Sequence, residues 1–350
     1  MRTVHTDDPA LVYSGRIDFE DPMAPVFIFA GSFVRFFFTG KKIGFLISNH
    51  HNYYTNSVGY FLDGKAGRFT LPDSSEKEKY WIDCDSEEKH ELCLYKMQDG
   101  CHYFTLSDIL LEDGAEIFPG QALPKRRIEV FGDSVSCGEV CEALDRVGQP
   151  DPEEHLGIYN NSWYAYGWIT ARAFDAEVHL TSQGGAALLD NTGWFHAPDY
   201  IGLESIYDKI EYNTQIGPVK QWDFACWKPQ VVVFAFGQND NNPEDFMAND
   251  PHGEKAENWK EHYRSFLCRL MELYPKAHFI LGTTTLMHHE NWDKAIEEVV
   301  REVNNPRVTH LIYRDNGAGT PGHLRIPEHE RMAEDLIAHI KALGDIWDED

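Results

Sequence analysis

Near residue 120 the hydrophobic rhythm of this chain changes, and that change constrains its fold more than any other feature. Before it, residues 11 to about 118 read as short strands broken by turns. "VFIFAGSFVRFFFTGKKIGFLIS" is dense in β-branched and aromatic residues and punctuated by Gly31 and Gly40. "VGYFLDGKAGRFTL" sets Asp63-Gly64 between two apolar runs, a strong hairpin signal. "HELCLYKM" and "CHYFTLSDILLE" continue the pattern, and nothing in this half has helical period. Many short strands so spaced imply an all-β sandwich or jelly roll. "FPGQALPKRR", residues 118 to 127, carries two prolines and a glycine and is the natural linker. A chain of 350 residues is too long for one ordinary core, so the expectation is two domains, 1–122 and 123–350.

After the linker, strand-like runs occur at 128–132, 177–181, 230–236, 277–283 and 308–313. Helical patterns lie between several of them. In "ENWKEHYRSFLCRLMELYP", Trp259, Tyr263, Phe266, Leu267, Leu270 and Leu273 recur at spacings of three and four, and Pro275 follows. A second helix fits from Ser162 onward with that serine as N-cap, and a last one fits 327–343. Alternating strands and helices predict an α/β domain, a parallel sheet covered by helices on both faces. In such sheets, ligands and reactive groups sit beyond the carboxyl ends of the strands.

Four blocks fall on that edge. Gly132-Asp133-Ser134 follows the first strand, Ser182-Gln183-Gly184-Gly185 the second and Gly237-Gln238-Asn239-Asp240 the third, while "GTPGHLRIPEHERMAEDL" places His323 just before the last helix. Each block alone reads as ordinary turn chemistry. Their order and placement together resemble the signature blocks of the SGNH (GDSL-type) hydrolases, over residues 127 to 343. The resemblance implies a three-layer, flavodoxin-like α/β domain and a serine esterase mechanism. A serine hydroxyl is a weak nucleophile until a base takes its proton, and histidine titrates in the right range. Attack on an ester carbonyl creates an oxyanion, for which the N–H of Ser134, the N–H of Gly184 or Gly185, and the Asn239 amide are the candidate donors. Asp133 is assigned to bracing the turn. His323 is the candidate base, and His329, His288 and His289 are its rivals.

SGNH enzymes commonly carry an aspartate three residues before this histidine. Here Thr320 stands in that position, and the nearby acid is Asp315. The other ring nitrogen of His323 is therefore expected to donate either to Asp315 or to a backbone carbonyl. The β-rich first half, with "SGRIDFEDPMAPVFIFAGSFVRFFFTG" and "YFLDGKAGRF", resembles carbohydrate esterase family 2, and this likeness covers nearly the whole chain. It implies removal of O-acetyl groups from plant polysaccharides and their oligosaccharides by an SGNH domain that follows a jelly roll. It also implies a Ser-His dyad with a backbone carbonyl orienting the histidine.

Sugar rings pack on aromatic faces, and Trp194 and Trp292, both expected on loops of the active edge, are candidate platforms. Each has packing in a core or loop as its plainer reading. The polar insertion 141–161 either walls the cleft beside Ser134 or is a solvated loop.

Composition narrows the function class further. A net charge of −26 argues against nucleic-acid or anionic-membrane partners. No run of about 18 apolar residues is present to span a membrane. Seven irregularly spaced cysteines give neither a disulfide framework nor a zinc pair. With no signal-peptide pattern in "MRTVHTDDPALVYSGR", the expected compartment is the cytoplasm. No metal or cofactor is expected, because serine chemistry needs none. The leading reading is thus an acetyl esterase on acetylated mannan- or xylan-type oligosaccharides. The alternatives are a lipid or other short-chain ester hydrolase, and a carbohydrate-binding protein with a degenerate hydrolase block. Oligomeric state is left open.

Overall fold

The computed structural model describes residues 1–154, 157–317 and 320–347. They group into two units, the first built from 1–123 with 157–158 and Ile210–Gln221, the second from the remainder. The return of Ile210–Gln221 to the first unit departs from the sequence reading, which placed it in the second domain. Polar contacts hold it there: the N–H groups of Tyr212 and Asn213 donate to Tyr103 Oη at 3.1 and 2.8 Å. Lys220 Nζ meets Asp18, Glu20 and Glu211 at 2.6, 2.5 and 3.0 Å. A segment fastened by such contacts has no hydrophobic period to announce it.

The first unit is the expected all-β sandwich, two antiparallel sheets of six strands each. Strand Phe33–Thr39 shows why the sequence folds so: Val34, Phe36 and Phe38 are fully buried while the residues between them are less so, the period-two signature of one face turned to the core. Those side chains join Phe27, Phe45, Leu92, Leu94 and Phe104 in one apolar cluster drawn from both sheets. The Asp63-Gly64 hairpin forms as read. Strands Ser57–Leu62 and Lys65–Thr70 pair from Leu62↔Lys65, and both turn residues have positive φ (50° and 77°), as a two-residue hairpin of right-handed twist requires.

The second unit carries a five-stranded parallel sheet in the order Ala176–Ser182, Arg126–Gly132, Val231–Ala235, His278–Gly282, Val308–His310. All five expected strands are present, and the order is the flavodoxin-like 2-1-3-4-5. Alternate side chains of the first strand meet different helices. Phe131 packs edge-on against Phe266 of helix Glu254–Leu273. The neighbouring Val130 faces Gly167 of helix Tyr166–Phe174. Successive residues of a strand point to opposite faces, so the sheet is covered on both. Helix Ile326–Ala342 lies against Tyr166–Phe174, and Asn291–Val303 against Glu254–Leu273. The expected Ser162 cap is replaced: Ser162–Tyr164 forms a short 3₁₀ turn whose cap is Asn161, accepting from Trp163 N–H at 3.1 Å, and the α-helix begins at Tyr166. The chain reverses strand order between Arg126–Gly132 and its two neighbours. In open sheets of this kind, ligands bind beyond the strand ends at such a reversal.

Candidate active site

Strand Arg126–Gly132 can turn sharply at that reversal because its last residue has no side chain. A Cβ on Gly132 would stand 2.1 Å from Ser136 Oγ, so only glycine lets the chain turn this tightly into the short helix Ser134–Cys137. Asp133 caps that helix, its Oδ1 accepting from Val135 N–H at 3.0 Å. Ser134 is the first helical residue, so its own N–H has no intrahelical acceptor and is available to a ligand. Asp133 braces the turn, as expected, and does more. Its Oδ2 accepts from the amides of Gln238 and Asn239, the latter at 3.2 Å, and so ties the end of the first strand to the end of the third. Burial pushes the Asp133 carboxyl up to about 7, against the pull of the Val135 N–H and the nearby His323 charge.

His323 is held by an acid that the sequence reading did not consider. Its Nδ1 lies 2.6 Å from Asp151 Oδ2, and its backbone N–H donates to Asp151 Oδ1 at 3.0 Å. One carboxylate thus grips both the ring and the main chain of the histidine. Arg325, its side chain fully buried, pairs with Asp151 Oδ1 at 2.9 Å and donates through Nε to Ala143 O at 3.2 Å. Burial works to raise the Asp151 carboxyl and is outweighed by the His323 hydrogen bond and the charges of His323 and Arg325, which hold it at about 2. For His323 itself burial works downward, but the Asp151 hydrogen bond and the charges of Glu139, Asp151 and Asp133 leave its pKa raised. Both expected partners are overturned. Asp315 turns away and pairs with Arg331 at 3.4 Å, and a carboxylate stands where a backbone carbonyl was the alternative. Thr320, in the usual acid position, spends its hydroxyl on the N–H of Gly322.

The rival histidines are engaged elsewhere. His329 is buried in the last helix with Nδ1 accepting from Tyr166 N–H at 3.3 Å, and burial, aided by the charges of His323 and Arg325, drives its pKa down to about 3. His288 is locked between Leu286 O at 2.6 Å and Asp293 Oδ2 at 3.1 Å. His289 Nδ1 accepts from Asn291 N–H at 3.3 Å.

The candidate oxyanion donors follow three neighbouring strand ends. Gly185, half-buried, offers an N–H that meets no acceptor among the described residues, while Gly184 is enclosed. Asn239 Nδ2 already donates to Ala186 O at 3.0 Å and to Asp133 Oδ2 at 3.2 Å. The longer contact is the replaceable one, because Asp133 keeps Val135 and Gln238 as donors. Asp240, given no role from sequence, accepts from the N–H groups of Leu188 and Leu189 at 2.8 and 3.1 Å and so anchors the loop after the glycines. On that loop Trp194 is 60% exposed, and its N–H donates to Gly185 O at 2.7 Å. Trp292 is no platform. It sits in the first turn of helix Asn291–Val303, fully buried against Trp259 and Phe246. Among the described residues no group of His, Cys, Asp and Glu is arranged to hold a metal, no disulfide forms, and no helix is long and apolar enough to cross a membrane.

Known proteins share this fold. Residues 13–120 match the family described as carbohydrate esterase 2 N-terminal. The chain is 24% identical to an acetylxylan esterase / glucomannan deacetylase of Cellvibrio japonicus, over 98% of its own length and 91% of the relative's. A family two carbohydrate esterase structure from Cellvibrio japonicus superposes with a TM-score of 0.80 at 21% identity, covering 99% of both chains. The chain is thus similar to carbohydrate esterase family 2 proteins over nearly its whole length. It is also 26% identical, over 97% of its length, to the cellulase/esterase CelE of Acetivibrio thermocellus, of which it spans 40%. A family two esterase from Clostridium thermocellum, solved in complex with cellohexaose, superposes with a TM-score of 0.78 at 23% identity, over 95% of this chain and 98% of that one.

The Asn239 geometry carries a prediction. If a tetrahedral oxyanion draws one amide hydrogen away from Asp133, Asn239→Ala loses an interaction made only in the transition state. The expected result is a fall of about 10²–10³ in kcat with a smaller change in KM, read by steady-state kinetics on a soluble acetate ester. A change confined to KM would place the amide on ground-state substrate instead.

Proposed function

We propose that this protein is a serine carbohydrate O-acetyl esterase acting on acetylated oligosaccharides of the xylan or mannan type. The observation that carries the reading is the Asp151–His323 pair, whose Nε2 stands 3.7 Å from Glu139 of the Ser134 turn, with the Asn239 amide bonded to Asp133 of the same turn. In the proposed cycle Asp151 holds Nδ1 protonated, so Nε2 is the basic nitrogen. Ser134 Oγ attacks the acetyl carbonyl as Nε2 takes its proton, and the N–H groups of Ser134 and Gly185 with the Asn239 amide receive the oxyanion. The C–O bond to the sugar then breaks, the imidazolium returns the proton to the sugar oxygen, and acetyl-Ser134 remains. Water repeats the sequence from the other side and releases acetate.

The substrate class rests on the relatives' activity and on Trp194, whose exposed ring beside Gly185 offers a flat apolar face to a pyranose. The net charge of −26 favours neutral over anionic substrates. The absence of disulfides among the described cysteines fits a reducing compartment, and we place the enzyme in the cytoplasm, acting on short oligosaccharides.

The test is acetate release from acetylated xylo- and manno-oligosaccharides, compared with hydrolysis of medium-chain esters such as octanoates. Preference for the saccharides by at least tenfold in kcat/KM is expected. Equal or better turnover of octanoate would make it a lipid-type hydrolase, and no turnover of any ester would leave a binding protein.

A further inference from the structure

Trp194, the exposed ring of the site, is mounted from two sides. On one side the N–H groups of Trp194 and Phe195 both donate to Gly185 O, at 2.7 and 3.2 Å. A Cβ on Gly185 would stand 3.0 Å from Trp194 Cβ, so the tryptophan leaves the backbone directly against a candidate oxyanion donor. On the other side is Asn242, which ends the 3₁₀ turn Gln238–Asn241. Its N–H donates to Asn239 O at 3.2 Å, and its carbonyl accepts from Gly193 N–H at 3.0 Å. Its side chain closes a second bond to the same residue, Nδ2 donating to Gly193 O. Gly193 fits between these partners only as glycine: its φ is 83°, and a Cβ there would meet Gly185 O at 2.7 Å and Ala187 N at 2.9 Å. Asn239, Asn242, Gly193, Trp194 and Gly185 thus form one hydrogen-bonded bracket, with a candidate oxyanion donor at each end.

The Asn242 amide is not needed by its own turn. The turn is closed by main-chain bonds, whereas Nδ2 reaches a carbonyl 49 residues earlier, on the loop that follows strand Ala176–Ser182. An amide committed to that distant carbonyl fixes where the next residue, Trp194, stands. We propose that Asn242 is a positioning residue that holds the Trp194 ring at a set distance from the oxyanion donors, and so makes the site prefer esters whose leaving alcohol carries a ring to lie on it. A platform already held in place needs no further ordering when the sugar arrives, and a small misplacement of such a contact is felt at the reacting centre. The proposal rests on the reading of Trp194 as a sugar platform, and deepens it by naming what keeps the platform in register with the reacting carbonyl. Two asparagines of one block then divide the work, Asn239 serving the oxyanion and Asn242 the leaving group.

The experiment compares kcat/KM for acetate release from an acetylated xylo-oligosaccharide and from ethyl acetate, whose leaving group has no ring. In Asn242→Ala the ratio of the first to the second is expected to fall about 3–10-fold, the scale of one lost hydrogen bond, through KM rather than kcat. The fold should survive, because Asp240 still anchors Leu188 and Leu189 of the same loop. Asn242→Asp keeps the size of the side chain but turns a carboxylate oxygen toward Gly193 O, and is expected to lose at least as much. In a Trp194→Ala background, Asn242→Ala is expected to leave the ratio where Trp194→Ala has put it, since the bracket has no ring left to hold. A ratio left unchanged overturns the proposal, whether both esters lose equally or neither does. So does a wild-type ratio in Asn242→Asp, or a full further loss in the absence of Trp194. Hydrogen exchange reads the bracket without any substrate: in Asn242→Ala the N–H groups of Trp194 and Phe195 are expected to exchange at least about threefold faster, and unchanged exchange overturns the proposal. Should the wild type release no acetate from the oligosaccharide, the saccharide reading fails, and the exchange result alone upholds or overturns Asn242 as the residue that positions Trp194.

Discussion

Asp151→Asn is expected to lower kcat by about 10³–10⁴, the scale on which loss of the orienting aspartate acts in the best-characterised serine relay. The change keeps the shape of the side chain and removes its charge. An amide at 2.6 Å from Nδ1 can present its NH₂ and leave Nδ1 as acceptor, so Nε2 then carries the hydrogen and Ser134 faces a donor where it needs a base. The imidazolium formed during attack also loses its counter-charge. Two further readings separate this from simple damage. Among the groups whose charge bears on His323, Asp151, Glu139 and Asp133 together raise its pKa, and activity needs the neutral ring, so the rate falls as pH drops through that raised value. Removing one of the three negative charges moves this acid limb to lower pH. Asp315→Ala serves as the control: its carboxylate pairs with Arg331 at a half-exposed site, and kcat is expected to stay within about threefold. A loss on Asp315→Ala equal to that on Asp151→Asn, in folded protein, would return the acid to the position the chain order suggests.

The contrast between these two aspartates marks where sequence reading reached its limit. Strands and helices of the second unit were legible because each is set by a local pattern. Val231–Ala235 is a continuous apolar run, as a strand buried on both faces must be, and Glu254–Leu273 repeats its apolar residues at three and four. Ser134 and His323 could be picked out as candidates because each follows or precedes such an element closely. Asp151 does neither. It arrives from a loop of polar residues, and what places it is a long-range contact with His323 and Arg325, 172 residues away for the histidine. Two signals were nonetheless present. Asp151 lies between Pro150 and Pro152, which restrict the backbone around a single carboxylate, and Arg325 stands two residues after His323 as a cation in need of a partner. Residues 155 and 156 of the same insertion lie outside the described residues.

Trp292 failed for a different reason. Its neighbours His288, His289, Glu290 and Asn291 are polar, so the segment reads as a loop. The helix Asn291–Val303 starts at that point, and the tryptophan becomes its first inward-facing residue, packed on Trp259. Trp194 follows Gly193 on a true loop, whose backbone is tied to Gly185, and so remains exposed. In both cases the residue type was read correctly and its orientation was decided by tertiary context. The first unit repeats the point: its strands were evident from period-two burial, whereas Ile210–Gln221 joined it through ion pairs and tyrosine hydrogen bonds that no periodicity encodes.

Ser134→Ala and His323→Ala are each expected to abolish turnover to a common floor, about 10⁵–10⁶ below the wild type, and the double variant is expected to fall no further. Residues that act as one unit are not additive, because once either is gone the other has no step left to perform. In the proposed cycle the floor reflects what remains, the N–H groups of Ser134 and Gly185 and the Asn239 amide, which would still receive the developing oxyanion for attack by water. Folding is not at stake in Ser134→Ala. The helix is capped by Asp133 and its backbone bonds are untouched, with Glu139 N–H still donating to the carbonyl of residue 134. His323→Ala is more demanding, since it leaves the Asp151 carboxylate without the ring that helps hold it at about 2, though Arg325 and the residue 323 N–H remain. Equal kinetic floors with unequal thermal stabilities are therefore the signature to look for. If the double variant instead loses the product of the two single factors, serine and histidine work separately, and the nucleophile must be activated by something other than this imidazole.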